Sequence, residues 1–135
     1  MIYAYSDTAL SDSHATCTSF IINDSNYLGC FTNIYGNVKG SIHGELLGIK
    51  QSLEYINGLK LNDTDIQIFT DSYESIKHIK HQTKTKHFTS IINIINSYAE
   101  KYNIEYNYIK GHAIEHSPNK IVDLIAKSVN NIIGV

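Results

Sequence analysis

The chain contains no arginine, so all 11 of its basic residues other than histidine are lysines. Without a guanidinium there is no bidentate grip on phosphates or bases. Any anion contact falls to lysine ammonium groups, backbone N–H groups or hydroxyls. The formal net charge of −2 excludes a global attraction to nucleic acid or anionic lipid, so any such affinity must be local. Cysteine is scarce: Cys17 and Cys30 are the only two. They fall in adjacent expected strands, and free thiols are the expected state, since nothing marks the chain as secreted. No apolar run approaches 18 residues, and the start Met1-Ile2-Tyr3-Ala4-Tyr5 lacks a basic segment followed by a long apolar one. A signal peptide and a membrane span are therefore not expected, and the expected location is cytoplasmic. There is no repeat, low-complexity tract or linker among the 135 residues. A single domain over 1–135 is expected, long enough to bury roughly 65–70% of its unfolded surface.

What is present alternates between two periods. Residues 2–7 read as a strand, and residues 16–22 and 27–35 as two more, joined by the hairpin signal Asn23-Asp24-Ser25-Asn26. Gly36, Gly40 and Gly44 read as turn residues, lacking the Gly-Lys-Ser/Thr ending of a phosphate loop. Leu46, Ile49, Leu53 and Ile56 then keep helical spacing until Asn57-Gly58. A strand over 65–70 precedes a helix that Ser72 can cap. Phe88, Ile91, Ile92, Ile95, Tyr98, Ala99 and Tyr102 give a further helix, and 104–109 a fifth strand. Ser117-Pro118 opens a last helix carrying Ile121, Ile125, Val129 and Ile132. The order β-β-β-α-β-α-α-β-α predicts an α/β fold: a mixed five-stranded sheet, its first three strands antiparallel, with helices on both faces.

Four acids stand at the ends of these elements. Asp7 closes the first strand and Asp71 the fourth, while Glu45 and Asp123 lie in the first turns of helices. Carboxylates converging on one sheet are costly unless something positive sits between them. Divalent cations with oxygen ligands meet that need, and two such ions suit phosphodiester hydrolysis.

These motifs, in this order, resemble a type 1 ribonuclease H over essentially the whole chain. The matching residues are Asp7, Glu45, Asp71 in Thr70-Asp71-Ser72, Asp123 on the last helix, and Lys110-Gly111-His112 ahead of it. The resemblance implies the ribonuclease H-like fold and a metal-dependent endonuclease that hydrolyses the RNA strand of RNA–DNA hybrids. It implies two Mg²⁺ ions, with Mn²⁺ able to substitute. Asp7 would bridge both, Asp123 would hold the nucleophile-side ion, and Glu45 and Asp71 the leaving-group-side ion. His112 would assist proton transfer or product release. The same site could instead serve structured DNA or double-stranded RNA, or the fold could be a non-catalytic nucleic-acid-binding module. A monomer is expected, with nucleic acid as partner, no membrane and no small-molecule cofactor.

Other residues bear on the substrate. Lys77, Lys80, Lys84 and Lys86 lie with three histidines in an acid-free stretch over 77–87, which suits a polynucleotide backbone. Ser41, Ser72 and Asn119 are further candidates for substrate contact; Asn119 could also hold its loop or orient a carboxylate. His112 and His116 are four apart, but Ala113 follows the first and Pro118 breaks the region, so they form no zincin motif. The chain departs from the family at three places. Thr8 follows the first Asp where Gly is usual, Ser41-Ile42 occupies the polar positions that read the RNA sugar, and Tyr73 replaces the Gln after Thr-Asp-Ser. A 2′-hydroxyl is read by hydrogen bonds, so the last two changes remove two side-chain partners and touch hybrid preference more than the metal site.

Overall fold

The computed structural model describes residues 1–23, 26–84 and 86–109. Its elements are β1 (Ile2–Ser11), β2 (His14–Asn23), β3 (Asn26–Tyr35), α1 (Ser41–Leu59), β4 (Asp65–Thr70), α2 (Tyr73–Ile79), α3 (Thr89–Ser97) and β5 (Asn103–Tyr108), with a 3₁₀ turn at Tyr98–Glu100. The sheet order is β3-β2-β1-β4-β5. β1, β2 and β3 pair antiparallel, while β4 joins β1, and β5 joins β4, in parallel. The mixed five-stranded sheet is as expected. The last helix, opening at Ser117-Pro118, lies outside the described residues.

Strand alternation sends Ile2 and Ala4 to the face that α1 covers. There they meet Ile21, Ile66 and Ile68 together with Leu46, Ile49, Leu53 and Ile56, all buried in one cluster. Those four α1 side chains hold the helix stripe to the sheet, each contributing about 1.5–3 kcal/mol. Ile91, Ile92 and Ile95 bring α3 into the same cluster, and Ile79 brings α2. The opposite face carries an aromatic row, with Tyr5 stacked on Phe69 at 4.7 Å and edge-on to Phe20 at 6.3 Å. A polar knot also lies under β2 and β3. Gln51, fully enclosed, donates to the Cys17 and Phe31 carbonyls and to Ser19 Oγ, and accepts from Asn33 and the Tyr35 hydroxyl.

Four local expectations need correction. β1 does not end at Asp7 but runs on to Ser11, because Thr8, Ala9 and Leu10 keep pairing with Cys17, Thr16 and Ala15. A two-residue turn then closes the hairpin, with Asp12 in the left-handed region at φ 54°. Gly44 is not a turn residue: it lies inside α1, where a Cβ would come within 3.1 Å of Thr8 Cγ2. Gly40 does mark the helix start, at φ 100°. At the other end α1 passes Asn57-Gly58 to Leu59, since Lys60 takes the left-handed cap and donates its N–H to the Asn57 carbonyl. Finally, the basic stretch, which as a solvated loop would be exposed throughout, begins inside a helix. Lys77, His78 and Ile79 belong to α2, with His78 and Ile79 buried. The two thiols are free, as expected, and sit out of register, Cys17 opposite Asn33 and Cys30 opposite Phe20. Among the described residues no helix is long and apolar enough to cross a membrane.

Candidate metal centre

The centre forms where a parallel pair of strands runs out. Ser6 opposite Thr70 is the last β1–β4 pair, so the next residue after each is an acid, Asp7 and Asp71. β1 continues past this point with only β2 for a neighbour, which leaves a notch on its other side. The turn beyond β4 is pinned, as Ser72 N–H donates to Thr70 Oγ1 at 3.1 Å and Ile109 N–H to the Thr70 carbonyl at 2.9 Å. Ser72 then caps α2 by accepting from Ser75 N–H, as its sequence position suggests. Glu45, the fifth residue of α1, completes the cluster from the helix side.

One carboxylate oxygen from each of Asp7, Glu45 and Asp71 lies within 4.8 Å of the others. Asp7 is buried, and Glu45 and Asp71 are half-buried. Two ionised carboxylates at that range repel by roughly 3–4 kcal/mol at an effective dielectric of about 20. Three all-oxygen donors in such proximity fit a hard divalent cation, which would cancel the repulsion. Asp123, His112 and Asn119 lie outside the described residues.

No protein-family model matches the sequence, and no curated protein does. Solved structures do match. The N-terminal ribonuclease H domain of a Mycobacterium tuberculosis protein, solved as a maltose-binding-protein fusion, superposes with a TM-score of 0.78 at 16% identity, covering 97% of this chain and 94% of that one. Ribonuclease H1 of Halobacterium salinarum gives 0.77 at 14% identity, with 97% and 98% covered. LC11 ribonuclease H1, crystallised with an RNA/DNA hybrid, gives 0.76 at 16%, with 96% and 99% covered. This is the ribonuclease H fold.

Within that ribonuclease H frame, Thr8 makes a contact invisible in the sequence. Its hydroxyl donates to the Gly44 carbonyl at 3.1 Å and lies 3.5 Å from the Cys17 sulfur. Cys17 Sγ also approaches the Gly44 carbonyl, at 3.5 Å. The residue after Asp7 is thus bonded to the residue before Glu45. Burial pushes the Cys17 thiol up to about 12; the Thr8 bond opposes the rise, and the charges of Glu45 and Asp7 add to it.

Ser41 opens α1 and is exposed. Lys80, Lys84 and Lys86 are exposed. Lys77 is engaged: its ammonium lies 3.4 Å from Glu74 and 5.6 Å from the Tyr73 ring centre. Tyr73 is exposed and meets Tyr108 edge-on at 5.6 Å. Sequence reading did not find a cleft of about 410 Å³ lined by Lys39, His43, His87 and Phe88. There the Lys39 N–H donates to His43 Nδ1 at 2.9 Å, and the His43 ring lies over Phe88 at 6.2 Å. Burial, and then the Lys39 charge, push the His43 imidazolium to a lower pKa than usual.

Proposed function

We propose that the chain is a metal-dependent endonuclease of the ribonuclease H type that hydrolyses the RNA strand of RNA–DNA hybrids. The observation that carries this reading is the cluster of Asp7, Glu45 and Asp71 at the notch beside β1, set in a ribonuclease H fold. Asp123, on the expected last helix, would complete the ligand set. When bound, a pair of Mg²⁺ ions (or Mn²⁺) supplies an activated water, neutralises charge at the phosphorus and supports the leaving oxygen. The chain's own part, among the described residues, is to hold Asp7 on β1, Glu45 on α1 and Asp71 just past β4, so that little rearrangement is needed on loading. His112 would move a proton or help release product.

Lys80, Lys84 and Lys86 supply point-charge contacts to backbone phosphates, and Ser41, Ser72 and Asn119 hydroxyl and amide contacts. Lys39, beside the cleft at the start of α1, offers one further ammonium contact. The crystallised complex of LC11 ribonuclease H1 with an RNA/DNA hybrid favours the hybrid as substrate. A second reading, cleavage of structured DNA or double-stranded RNA at the same acids, is favoured by Tyr73 standing exposed where the family carries an amide. In either case we infer a single-domain monomer with no small-molecule cofactor. The free thiols among the described residues suit a reducing, cytoplasmic setting.

The test offers one labelled duplex as RNA–DNA, DNA–DNA and RNA–RNA, with Mg²⁺ or Mn²⁺, to the wild type and to Asp7→Asn and Asp71→Asn. Cleavage of the hybrid by the wild type alone is expected. No hybrid cleavage at any metal concentration overturns the substrate reading, and cleavage that survives both substitutions overturns the site.

A further inference from the structure

The Thr8 hydroxyl occupies an unusual place in the connectivity of the acid cluster. Asp7 and Thr8 are consecutive on β1, and alternation turns them to opposite faces of the sheet. Thr8 faces α1, where its methyl would lie 3.1 Å from a Cβ on Gly44. Gly44 and Glu45 are likewise consecutive, on α1. The bond from Thr8 Oγ1 to the Gly44 carbonyl, at 3.1 Å, therefore joins β1 to α1 one residue away from each acid-bearing residue. A helix lying on a sheet can still slide along its axis and roll about it. Packing of Leu46, Ile49 and Leu53 limits both motions without fixing them to a few tenths of an ångström. A directional bond one residue from each carboxylate adds a restraint on both.

The small residues nearby support the same reading. Gly44 and Gly48 present no side chains to β1, which lets α1 come close enough for the Thr8 hydroxyl to reach a helix carbonyl. The Cys17 sulfur approaches the same carbonyl from β2 at 3.5 Å, as a weaker second tether. A glycine after Asp7, the usual family residue, could not make the Thr8 contact.

We propose that Thr8 is a positioning residue for the metal centre: its hydroxyl sets the separation of the Asp7 and Glu45 carboxylates by tying β1 to α1 at Gly44. This rests on the metal reading of the acids made above. With its hydroxyl on the Gly44 carbonyl and beside Cys17 Sγ, Thr8 acts through the backbones beside it.

The experiment measures Mn²⁺ and Mg²⁺ binding to the metal-free protein by titration calorimetry, for wild type, Thr8→Val and Thr8→Ser, at a temperature where urea titration shows all three folded. Valine keeps the volume and β-branching but loses the donor, while serine keeps the donor and loses the methyl. The expected result is a metal affinity lowered about tenfold in Thr8→Val, the low end for residues that orient metal ligands, and near wild type in Thr8→Ser. Equal affinity in wild type and Thr8→Val overturns the proposal and leaves the acids' role intact. So does a loss in Thr8→Ser as large as in Thr8→Val, which would mark the methyl group as the cause. Absence of metal binding in the wild type overturns both this proposal and the metal reading beneath it.

Discussion

Gly48 of α1 faces Ser6 of β1 so closely that a Cβ on the glycine would stand 2.7 Å from Ser6 Oγ. Alanine at 48 would gain up to about 1 kcal/mol of helix propensity. It would also force a fully buried hydroxyl to turn or the helix to lift, an overpacking cost of about 1–3 kcal/mol. Gly48→Ala is therefore expected to lower stability by about 1 kcal/mol in urea titration. Adding Ser6→Ala removes the obstructing atom, so the double variant should recover most of the loss. A double variant no more stable than Gly48→Ala alone would show that the helix is lifted by something other than Ser6.

Asp71→Asn should separate the two consequences of crowding acids together. With one charge gone, the metal-free protein is expected to melt higher than wild type. The stabilisation that Mg²⁺ gives the wild type, which follows from its binding to the native state alone, should largely vanish. Hybrid cleavage should fall roughly a hundredfold or more, about 3 kcal/mol of transition-state stabilisation. Differential scanning fluorimetry across a Mg²⁺ series reads the first two effects. A variant with a lower metal-free melting temperature and undiminished response to Mg²⁺ would contradict the arrangement.

The buried thiol gives a pH prediction with a definite sign. Cys17 titrates at about 12 in the native state, against an ordinary value of 9.0. Below pH 9 the thiol is neutral folded or unfolded, and its contribution is fully present. Between pH 9 and about 12 the unfolded chain releases the proton while the native one holds it, so stability falls as pH rises through that window. Tyr35, pushed up to about 12 by burial, acts in the same direction. Cys17→Ala should flatten the decline in urea midpoint measured from pH 8.5 to 10.5. At pH 8 a thiol reagent should modify the half-buried Cys30 first and Cys17 only on unfolding.

Truncating Gln51 should be among the costliest changes outside the acid cluster. Gln51→Leu leaves the Cys17 and Phe31 carbonyls without their amide donor and Tyr35 OH without its acceptor. A loss of roughly 2–4 kcal/mol is expected by urea titration. A loss below about 1 kcal/mol would mean that water or a shift of β3 replaces those bonds.

The lysines should divide by environment. Lys80→Ala, Lys84→Ala and Lys86→Ala together should weaken hybrid binding and lower the slope of log affinity against log salt, by up to about 0.9 for each phosphate no longer neutralised. Lys77→Ala, whose ammonium is already held by Glu74 and Tyr73, should change the slope least. Fluorescence anisotropy at several salt concentrations distinguishes them, and an unchanged slope in the triple variant would remove the loop from the binding surface.

Legible in the sequence is whatever depends on neighbours along the chain. The spacing of Leu46, Ile49, Leu53 and Ile56 locates α1 and its buried stripe, the alternation in 65–70 locates β4, and Ser72 announces the start of α2. The three acids now seen together are each legible from their position at an element. The end of β1 is not, because Thr8 and Leu10 continue the strand through pairing with β2, which periodicity in β1 alone does not reveal. The Thr8–Gly44 bond spans 36 residues, and the His43–Phe88 cleft joins the start of α1 to the segment before α3. Neither has a local signature. The role of Gly44 is hidden for the same reason: a glycine that permits a turn and one that permits close helix–sheet approach look identical until the opposing strand is in place.

The parallel joint between Ile2–Ser6 and Ile66–Thr70 has a consequence for how the molecule assembles. β1, β2 and β3 can zip up from short hairpins, whereas β4 must arrive from far along the sequence, the slow kind of closure in chain folding. Asp71 rides at the tip of that incoming strand and reaches Asp7 only when the joint is complete. Divalent cations can therefore act as a clasp on finished molecules alone. Bound at the acids, they would hold the sheet shut once β4 has docked and offer little to a chain in which only the first hairpins have formed.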